Sequence, residues 1–459
     1  MQLTQRCFES SQTAYVSELQ VPISCNPALR CLQEAQSVLL LQGPMGAFFD
    51  RLAKWLVQHG AQVRRLALQG GDVHDSQVLK PIVFRHSLQD WPAFFKQLLQ
   101  DHQIDCVVLF GQSRRYHQVA IDLCKSQGLP VVVLEEGYFR PGYITMELGG
   151  VNGFSETMAR YIWHPEPDAA SIAPDITPHH FQKMAWQASR HYQALWDARH
   201  EFAHYQHHRI SQPSYYAFFW VRSWLRKLKH LRPSHRLQQK LFAQKAIHPY
   251  YFVPLQHDGD AQILHHSNFA NNAEFVIRVM ESFAQHAPAR SLLVFRQHPH
   301  VRGGPGHSEL IGGLADDLGI SQRVHHLVEG DTPDLAQHSA GVVVINSTVG
   351  LQALERGAPL MVLGDAPYKQ PQLSFMGELD EFWQQAKPAS PEITAHFLTQ
   401  MKNLTQAPAS VYAFRNEPLL WDEVLAHASA PASSASSKVA YVISCSGLLS
   451  GRTALKTPS

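Results

Sequence analysis

The fold is decided by the stretch Val131-Val132-Val133-Leu134-Glu135-Glu136-Gly137-Tyr138-Phe139-Arg140-Pro141, an apolar strand that ends in two adjacent carboxylates. Ligands of open α/β sheets bind beyond the carboxyl ends of the strands. Successive side chains of a strand point to opposite faces, so at most one of Glu135 and Glu136 faces such a crevice. Arg140 follows closely enough to pair with a carboxylate or with an anionic ligand. The alternative is an ordinary strand end with a surface acidic pair.

On either side of this strand, short apolar runs alternate with amphipathic helical patterns. The first half predicts strands at 38–42, 63–68, 106–110 and 131–134, with helices at 47–59, 91–101 and 116–127. The second half predicts strands at 251–255, 291–295, 341–345 and 360–363, with helices at 273–285 and 349–356. Such alternation is typical of a parallel sheet covered on both faces, and each half supplies one sheet.

Long helical patterns separate the two halves. We therefore predict an α/β, GT-B-like fold in which two Rossmann-like parallel-sheet domains face a cleft and are joined by a helical segment. The predicted boundaries are an N-terminal arm at 1–33, a first domain at 34–165, the helical segment at 166–246, a second domain at 247–403 and a partly disordered C-terminal tail at 404–459. The tail prediction depends on the Ala/Ser tract at 430–437.

The composition limits the class of function. A formal charge of +1 over 459 residues argues against a nucleic-acid protein that relies on one large positive field. Six scattered cysteines without a CxxC pair favour a reducing compartment. The 28 histidines include no HExxH and no spaced Cys/His set, so no metal site is predicted. Because no run of about 18 apolar residues occurs, we expect a cytoplasmic protein unless the chain lies on a membrane surface.

A basic and aromatic helix is predicted inside the connecting segment. Its apolar residues recur at three- and four-residue spacing, and they are Ala217, Val221, Trp224, Leu228 and Leu231. The basic residues of the same stretch are Arg222, Arg226, Lys227, Lys229 and Arg232. Such a helix can lie on an anionic bilayer, or it can pack its Trp224 stripe on the protein's own core.

Two strand ends in the second half carry groups suited to an anion. His298 and Pro299 follow the strand at 291–295, where the imidazole can donate to a phosphate oxygen and Arg296 can add a charged donor. Asn346-Ser347-Thr348 follows the strand at 341–345 and opens a helix, where hydroxyls and free N–H groups favour an anion. The alternatives are an ordinary strand exit and an ordinary helix cap.

The first half offers two glycine-rich turns. Gly43-Pro44-Met45-Gly46 joins a strand to a helix but lacks the GxGxxG pattern, so a dinucleotide site is a weak interpretation. Gly70-Gly71-Asp72 either lines the same crevice or turns the chain, and we favour the turn.

At these residues the chain resembles the KpsS/LipB-type capsular polysaccharide proteins, a family of retaining β-Kdo transferases. The matching blocks keep family order and span residues 38–385. They are Leu41-Gln42-Gly43-Pro44-Met45-Gly46 with Phe48-Phe49, Gly70-Gly71-Asp72, Glu135 to Pro141, Gly149-Gly150-Val151-Asn152-Gly153, Gln297-His298-Pro299, Ile345 to Leu351, and residues 371–383.

The resemblance implies transfer of Kdo from CMP-Kdo to a lysophosphatidylglycerol or phosphatidylglycerol acceptor, which starts the lipid anchor of the capsule polysaccharide. No cofactor is implied beyond the donor substrate. The expected location is the cytoplasmic face of the bacterial inner membrane, in contact with anionic phospholipid and with other capsule assembly or export proteins, and without nucleic acid.

The resemblance also assigns roles to residues. Glu136, where several relatives carry Asp, matches the position of the nucleophile, and Glu135 is expected to hold the strand end or Arg140. For the leaving CMP phosphate, the implied contacts are Arg296, His298, Pro299, Asn346, Ser347 and Thr348. For the Kdo carboxylate or the acceptor, they are Arg140, Gly43, Gly46 and Asp72. After Pro299 the chain reads His300-Val301-Arg302-Gly303-Gly304, where the family would place an acidic residue.

Two other functions fit the sequence. A non-catalytic adaptor could bind lipid-linked glycan for capsule export, since the segment after Pro299 and the C-terminus depart from the family pattern. A two-domain transferase or epimerase could use a UDP-sugar, because no residue in the sequence identifies the nucleotide base.

Overall fold

The computed structural model describes residues 26–159, 173–175, 180–206, 213–257, 263, 266–301, 304 and 306–429. Most of the predicted N-terminal arm and the Ala/Ser tract at 430–437 lie outside the described residues.

The first domain is built on a sheet whose central strands are fully buried. Its strands are β1 (Ser37–Leu40), β2 (Gln62–Ala67), β3 (Ile82–Val83), β4 (Cys106–Phe110), β5 (Val131–Glu136) and β6 (Tyr143–Leu148), in the order β3-β2-β1-β4-β5-β6. Strands β1 to β5 run parallel and β6 runs antiparallel to β5. The helices are α1 (Pro27–Glu34), α2 (Phe48–Gln58), α3 (Gly70–Asp75), α4 (Trp91–Asp101), α5 (Arg115–Ser126) and α6 (Glu156–Ala159).

Strand β5 explains why the opening stretch reads as a continuous apolar run. Val132 and Leu134 point into one core beneath α1 and α2, while Val131 and Val133 point into the opposite core beneath α4 and α5. A strand buried on both faces has no solvent side to carry alternating polar residues. The same geometry separates Glu135 from Glu136, which continue the two faces.

Two helices follow, α7 (His180–Asp197) and α8 (Pro213–Gln244). Helix α7 packs against α3, and the glycine pair at the start of α3 permits the close approach. A β-carbon on Gly70 would lie 2.4 Å from the Ala194 carbonyl oxygen, and one on Gly71 would lie 2.5 Å from the His191 ring. Gly70-Gly71 therefore serves helix packing, and the predicted simple turn is corrected to the first turn of α3.

The second domain repeats the strand order of the first. Its elements are β7 (Tyr250–Pro254), α9 (Asn272–His286), β8 (Leu292–Arg296), α10 (Ser308–Asp317), β9 (Val324–Leu327), α11 (Thr332–Gln337), β10 (Gly341–Val344), α12 (Val349–Glu355), β11 (Leu360–Val362), α13 (Leu379–Gln385) and α14 (Pro391–Thr405). All five strands are parallel, in the order β9-β8-β7-β10-β11. The predicted α/β architecture of two Rossmann-like sheets is confirmed.

The chain then returns to the first domain. Strand β12 (Gln406–Pro408) pairs antiparallel with β6, and α15 (Trp421–Ser429) follows. Ala407, Trp421 and Leu425 are buried in the first core. The predicted start of a tail at 404 therefore differs from the structure, because residues 406–429 complete the first domain.

Candidate functional site

Both sheets have a topological switch point, where the connections leave two neighbouring strands in opposite directions. It lies between β1 and β4 in the first sheet and between β7 and β10 in the second. In open α/β sheets the ligand crevice forms at the carboxyl ends of such strands. The two switch points are thus the places to look for a site.

In the second sheet, Asn346 ties the ends of the switch-point strands together. Its side chain accepts a hydrogen bond from Gln256 Nε2, just beyond β7, at 3.0 Å and donates to the His266 carbonyl at 3.1 Å. That carbonyl also accepts the Asp365 N–H at 2.7 Å, just beyond β11. Asn346 therefore shapes the crevice, and its predicted contact with a phosphate stays a prediction.

Ser347 and Thr348 lie at the half-buried entrance to α12. The Ser347 carbonyl accepts a hydrogen bond from the Tyr368 hydroxyl, and Ser347 Oγ accepts the Val349 N–H at 3.3 Å. Thr348 is the N-cap residue, but its side chain makes no capping hydrogen bond. Its hydroxyl is thus placed at the helix start without being used to hold the helix.

His298 follows β8, next to the switch point. Gln297 turns inward, where it is 3% exposed and donates to the Val301 carbonyl at 3.0 Å, and His298 remains half-buried. The His298 ring meets the His257 ring edge-on, with 6.4 Å between centroids. Because β7 lies between β8 and β10, two strand spacings, about 10 Å, separate β8 from β10. Gln256 and His257, which follow β7, lie between the ends of these two strands.

Arg296 and Pro299, predicted with His298 as phosphate contacts, lie in different places. Arg296 lies half-buried beside Gly330, at the exit of β9 and on the far side of β8 from Ser347. Pro299 begins a single 3₁₀ turn, Pro299–Val301. Of the predicted phosphate residues, His298, Ser347 and Thr348 remain along the crevice, and Arg296 does not join them.

In the first domain, β5 separates its two terminal carboxylates. Glu136 lies on the face of the C-terminal segment, where its side chain is 45% exposed. Its carboxylate accepts from Arg140 Nη1 at 2.5 Å and from the Tyr412 hydroxyl at 3.5 Å. Glu135 instead accepts from Asn152 Nδ2 at 3.0 Å. The expectation that Glu135 holds Arg140 is therefore wrong, since Arg140 pairs with Glu136.

Glu135 belongs to a hydrogen-bonded group that reaches the second domain. The Asn152 N–H donates to the Tyr138 hydroxyl at 2.7 Å, and that hydroxyl donates to Glu147 at 3.2 Å. Burial raises the pKa of Glu147 to about 8. Two residues beyond Asn152, the Phe154 ring packs on the His266 ring at 4.2 Å. The turn at 152–154 thus joins the end of β5 to the crevice of the second sheet.

The carboxyl edge of β1 and β2 is closed by buried polar side chains. Asp72 accepts hydrogen bonds from the side chains of Gln42 and Gln69 and from the Leu68 N–H. It is 4% exposed, and burial raises the pKa of its carboxyl. The predicted ligand contact of Asp72 is corrected to a structural role, because its acceptors are used inside the protein.

Side chains of the first domain hold the backbone of the turn at 43–46 by hydrogen bonds. The Asp75 carboxylate accepts the Gly46 N–H at 2.9 Å and pairs with His191 Nδ1 at 2.7 Å. The Gly43 carbonyl accepts from Arg114 Nη1 at 3.3 Å. Gly43 and Gly46 therefore belong to a rigid turn, and only Gly46 borders open space.

That space is a cavity of about 600 Å³ between the turn, α7 and the segment at 414–416. Its lining combines cations, aromatic rings and amides, and comprises Gly46, Ala47, Lys54, His74, Asp75, Gln77, Trp186, Gln187, Arg190, Phe414, Arg415 and Asn416. Sequence reasoning missed this cavity because half of its wall comes from α7 and from the predicted tail. The four-residue spacing of Trp186 and Arg190 was the available signal.

Helix α8 carries its apolar face outward. The face that packs on the rest of the protein carries the buried polar residues Ser223, Ser234 and Gln238, and Leu241 packs in the core of the second domain. On the opposite face, large apolar side chains are roughly half exposed, and they are Phe218, Val221, Trp224, Leu225, Leu228 and Leu231. The interpretation that the Trp224 stripe packs on the protein's own core is therefore wrong. None of the helices in the described ranges is long and apolar enough to cross a membrane.

Within the described part of the chain, no group of three or more histidine, cysteine, aspartate or glutamate side chains could hold a metal ion.

Comparison with known proteins shows that the chain is similar to a family of capsule polysaccharide proteins. A model described as "Capsule polysaccharide biosynthesis protein" matches residues 105–412. The Escherichia coli capsule polysaccharide export protein KpsS is 34% identical over 364 residues, which cover 78% of this chain and 92% of the relative. The Neisseria meningitidis capsule polysaccharide modification protein LipB is 33% identical over 392 residues, which cover 83% and 93%. A solved structure, the Thermosulfurimonas dismutans KpsC β-Kdo 2,7 transferase, aligns at 12% identity and a TM-score of 0.35 over 79% of this chain and 89% of that chain.

Proposed function

The chain belongs to the capsule polysaccharide biosynthesis protein family, and from this premise we propose that it is a retaining β-Kdo glycosyltransferase. It would move Kdo from CMP-Kdo to a lysophosphatidylglycerol or phosphatidylglycerol acceptor and so start the capsule anchor. The observation that carries the proposal is Glu136, an accessible carboxylate held by Arg140 at the carboxyl end of a central strand.

Retention of configuration requires two displacements at the anomeric carbon. In the first, the Glu136 carboxylate attacks this carbon and the bond to the CMP phosphate breaks, so that CMP departs with the bonding electrons. In the second, the acceptor hydroxyl attacks the same carbon, loses its proton and releases Glu136. Arg140, beside Glu136, suits the Kdo carboxylate, and His298 with Ser347 and Thr348 suits the departing phosphate.

A Glu136→Gln variant tests the nucleophile. We expect loss of Kdo transfer by at least about 10³-fold with unchanged affinity for CMP, because the amide cannot form the ester. Mass spectrometry of the intact wild-type protein with CMP-Kdo alone should find one covalently bound Kdo, absent from the variant. The exposed Glu355→Gln serves as the matched control. Undiminished transfer by the Glu136 variant rules out this role.

An adaptor that binds lipid-linked glycan for export is the second candidate, favoured because the Escherichia coli relative KpsS is named a capsule polysaccharide export protein. Purified protein incubated with CMP-Kdo and phosphatidylglycerol separates the two. CMP release with a mass gain on the lipid supports the enzyme, whereas glycan binding without CMP release supports the adaptor. Parallel incubation with UDP-sugars tests the third possibility, a different nucleotide-sugar enzyme.

We further propose that α8 holds the protein on the cytoplasmic face of the inner membrane, near other capsule assembly proteins. Arg222 and Lys227 flank the outward apolar face of the helix, as expected for an amphipathic helix on anionic lipid. Paired Trp224→Ser and Leu228→Ser substitutions should reduce co-sedimentation with phosphatidylglycerol vesicles by about tenfold, since each removes buried apolar area. Ile277→Ser, an exposed apolar site on α9, is the control. Equal sedimentation of both proteins contradicts the assignment.

A further inference from the structure

We propose that the 600 Å³ cavity beside Gly46 is the acceptor site, and that it takes the phosphate-bearing head group of a glycerophospholipid drawn from the membrane. The inference rests on the proposed function, to which it adds the place and chemistry of the acceptor.

The cavity wall carries an excess of positive charge. Lys54, Arg190 and Arg415 line it, and Arg190 makes no hydrogen bond or ion pair with the described residues. The nearby Asp50 is shared between Arg65 Nη1 at 2.9 Å and Arg415 Nε at 2.5 Å, so one carboxylate faces two arginines. An arginine without a carboxylate partner is suited to a phosphate diester.

Asp75 is the carboxylate among the lining residues, and against Lys54, Arg190 and Arg415 it leaves the wall positive. It is 4% exposed, and its carboxylate is directed to the Gly46 N–H and to His191. The remaining polar groups of the wall, Gln77 and Asn416, are neutral donors and acceptors suited to a glycerol hydroxyl.

Aromatic rings form the mouth of the cavity. Trp186 is 56% exposed and Phe414 is 41% exposed, and their rings meet edge-on at 6.1 Å. Lys183 Nζ lies 4.5 Å from the centre of the Phe414 ring, and the Arg190 guanidinium lies 5.5 Å from that of Trp186. Lys183 is already paired with Glu417 at 2.8 Å, so the Arg190 cation above the exposed Trp186 ring is the group suited to a ligand with an anionic head and an apolar tail.

Helix α7, which lines the cavity, also contacts α8. Near the start of α7, Phe181 is 57% exposed, and the centre of its ring lies 5.7 Å from that of Trp220 of α8. Trp220 belongs to the same helix as the exposed apolar residues around Trp224. The exposed rings at the mouth and this contact with the proposed membrane helix favour a lipid within a bilayer over a free phosphate ester, because a water-soluble ester would gain nothing from apolar surface.

The cavity lies beside the proposed nucleophile, with one segment of chain between them. The Tyr412 hydroxyl lies 3.5 Å from Glu136, while the Tyr412 carbonyl accepts from Gln187 Nε2, in the cavity wall, at 2.9 Å. Phe414, two residues further, stands at the mouth. The segment at 412–414 thus has Glu136 on one side and the cavity on the other, which places a lipid bound in the cavity close to the proposed nucleophile.

The test uses the full-length protein and dihexanoylphosphatidylglycerol below its micelle concentration, with binding measured by calorimetry. We expect Arg190→Gln to weaken binding by about tenfold or more and Arg190→Lys to retain most of it, because the charged hydrogen bonds to phosphate are lost only in the first. Arg356→Gln, an exposed site on the second domain, should bind as the wild type does. Inorganic phosphate should bind at least about tenfold more weakly than the lipid.

Transfer kinetics then separate this inference from the proposed function. Lipid binding that depends on Arg190, without any Kdo transfer, overturns the function and leaves the site standing. Transfer with an unchanged KM for the lipid in Arg190→Gln overturns the site and leaves the function standing. Absent lipid binding, or phosphate binding as tight as lipid binding, overturns the site as well.

Discussion

Beyond β1 and β2 the first sheet fills its carboxyl edge with its own side chains, whereas the second sheet, with the same order of parallel strands, leaves its carboxyl edge half-exposed beyond β8 and β10. Asp72 and His191 are buried beyond β1 and β2, while His298, Ser347 and Thr348 remain reachable beyond β8 and β10. Helix α7 makes the difference, because it packs on α3 and delivers His191 into the edge. Strand order therefore locates a crevice, and the covering helix decides whether a ligand can use it.

Removing Asp72 should break the closed edge and give the largest effect. In Asp72→Ala, three buried donors on Gln42, Gln69 and Leu68 lose their acceptor, and each unsatisfied group costs about 1–3 kcal/mol. We expect the free energy of unfolding, measured by urea denaturation, to fall by about 3–5 kcal/mol. Asp122→Ala, exposed on α5, should change it by less than about 0.5 kcal/mol. A similar small loss in both variants would mean that the edge is not a structural unit.

The buried carboxyl of Glu147, which accepts a hydrogen bond from Tyr138, should make the free energy of unfolding depend on pH. Burial raises the pKa of Glu147 to about 8 from its ordinary value of 4.5, so the folded protein keeps a proton that the unfolded chain releases. Stability is fully present below pH 4.5 and is lost as the pH rises towards 8. Glu147→Gln should thus raise the free energy of unfolding at pH 8 by about 2–4 kcal/mol and leave it little changed at pH 4.5.

Urea denaturation at the two pH values checks this difference, with the exposed Glu355→Gln as the control. A gain of equal size at both values would show that the proton on Glu147 does not contribute.

In the second sheet, substitution of Asn346 should lower the free energy of unfolding less than substitution of Asp72 does, and it should weaken CMP binding. Asn346→Ala removes the two hydrogen bonds that hold Gln256 and the His266 carbonyl, at a cost of about 1–2 kcal/mol. We expect calorimetric affinity for CMP to fall by about tenfold, since the crevice loses its shape. Unchanged CMP affinity together with lower stability would place the nucleotide elsewhere.

Thr348→Ala should give the smallest change in folding. A capping threonine contributes about 1 kcal/mol, but the Thr348 side chain makes no capping bond, so the loss should stay below about 0.5 kcal/mol. Calorimetric CMP affinity should nevertheless fall severalfold if the hydroxyl meets the phosphate. Ser308→Ala at the start of α10 is the control for a general helix effect. A large loss of stability would show that Thr348 holds the helix and not the ligand.

The sequence predicted regular elements well where a single physical pattern decides them. The helix at Trp91–Asp101 and the strand at Cys106–Phe110 have the predicted bounds. Apolar periodicity is local, so a short window contains the answer. The short strand β12 was not predicted, because it pairs with β6 far earlier in the chain. The antiparallel β6 was also not predicted, although it pairs with the adjacent β5.

The candidate site was predicted residue by residue but not as an arrangement. Arg140 pairs with a carboxylate at the end of β5, but with Glu136 where Glu135 was expected. Asp72 is internal, and Arg296 lies beside Gly330, away from Ser347. The positions of these side chains depend on the order of the strands in each sheet and on the packing of α7. Long-range contacts determine both, so the local spacing of residues in the sequence does not predict them.

The return of the chain at β12 has a consequence for the order in which the protein is assembled. The second domain has all five strands by residue 362, and its last covering helix ends at Thr405. The first domain, although it starts earlier, needs Ala407, Trp421 and Leu425 to close its core. On the ribosome, the half of the molecule that is synthesised first is therefore the half that is finished last.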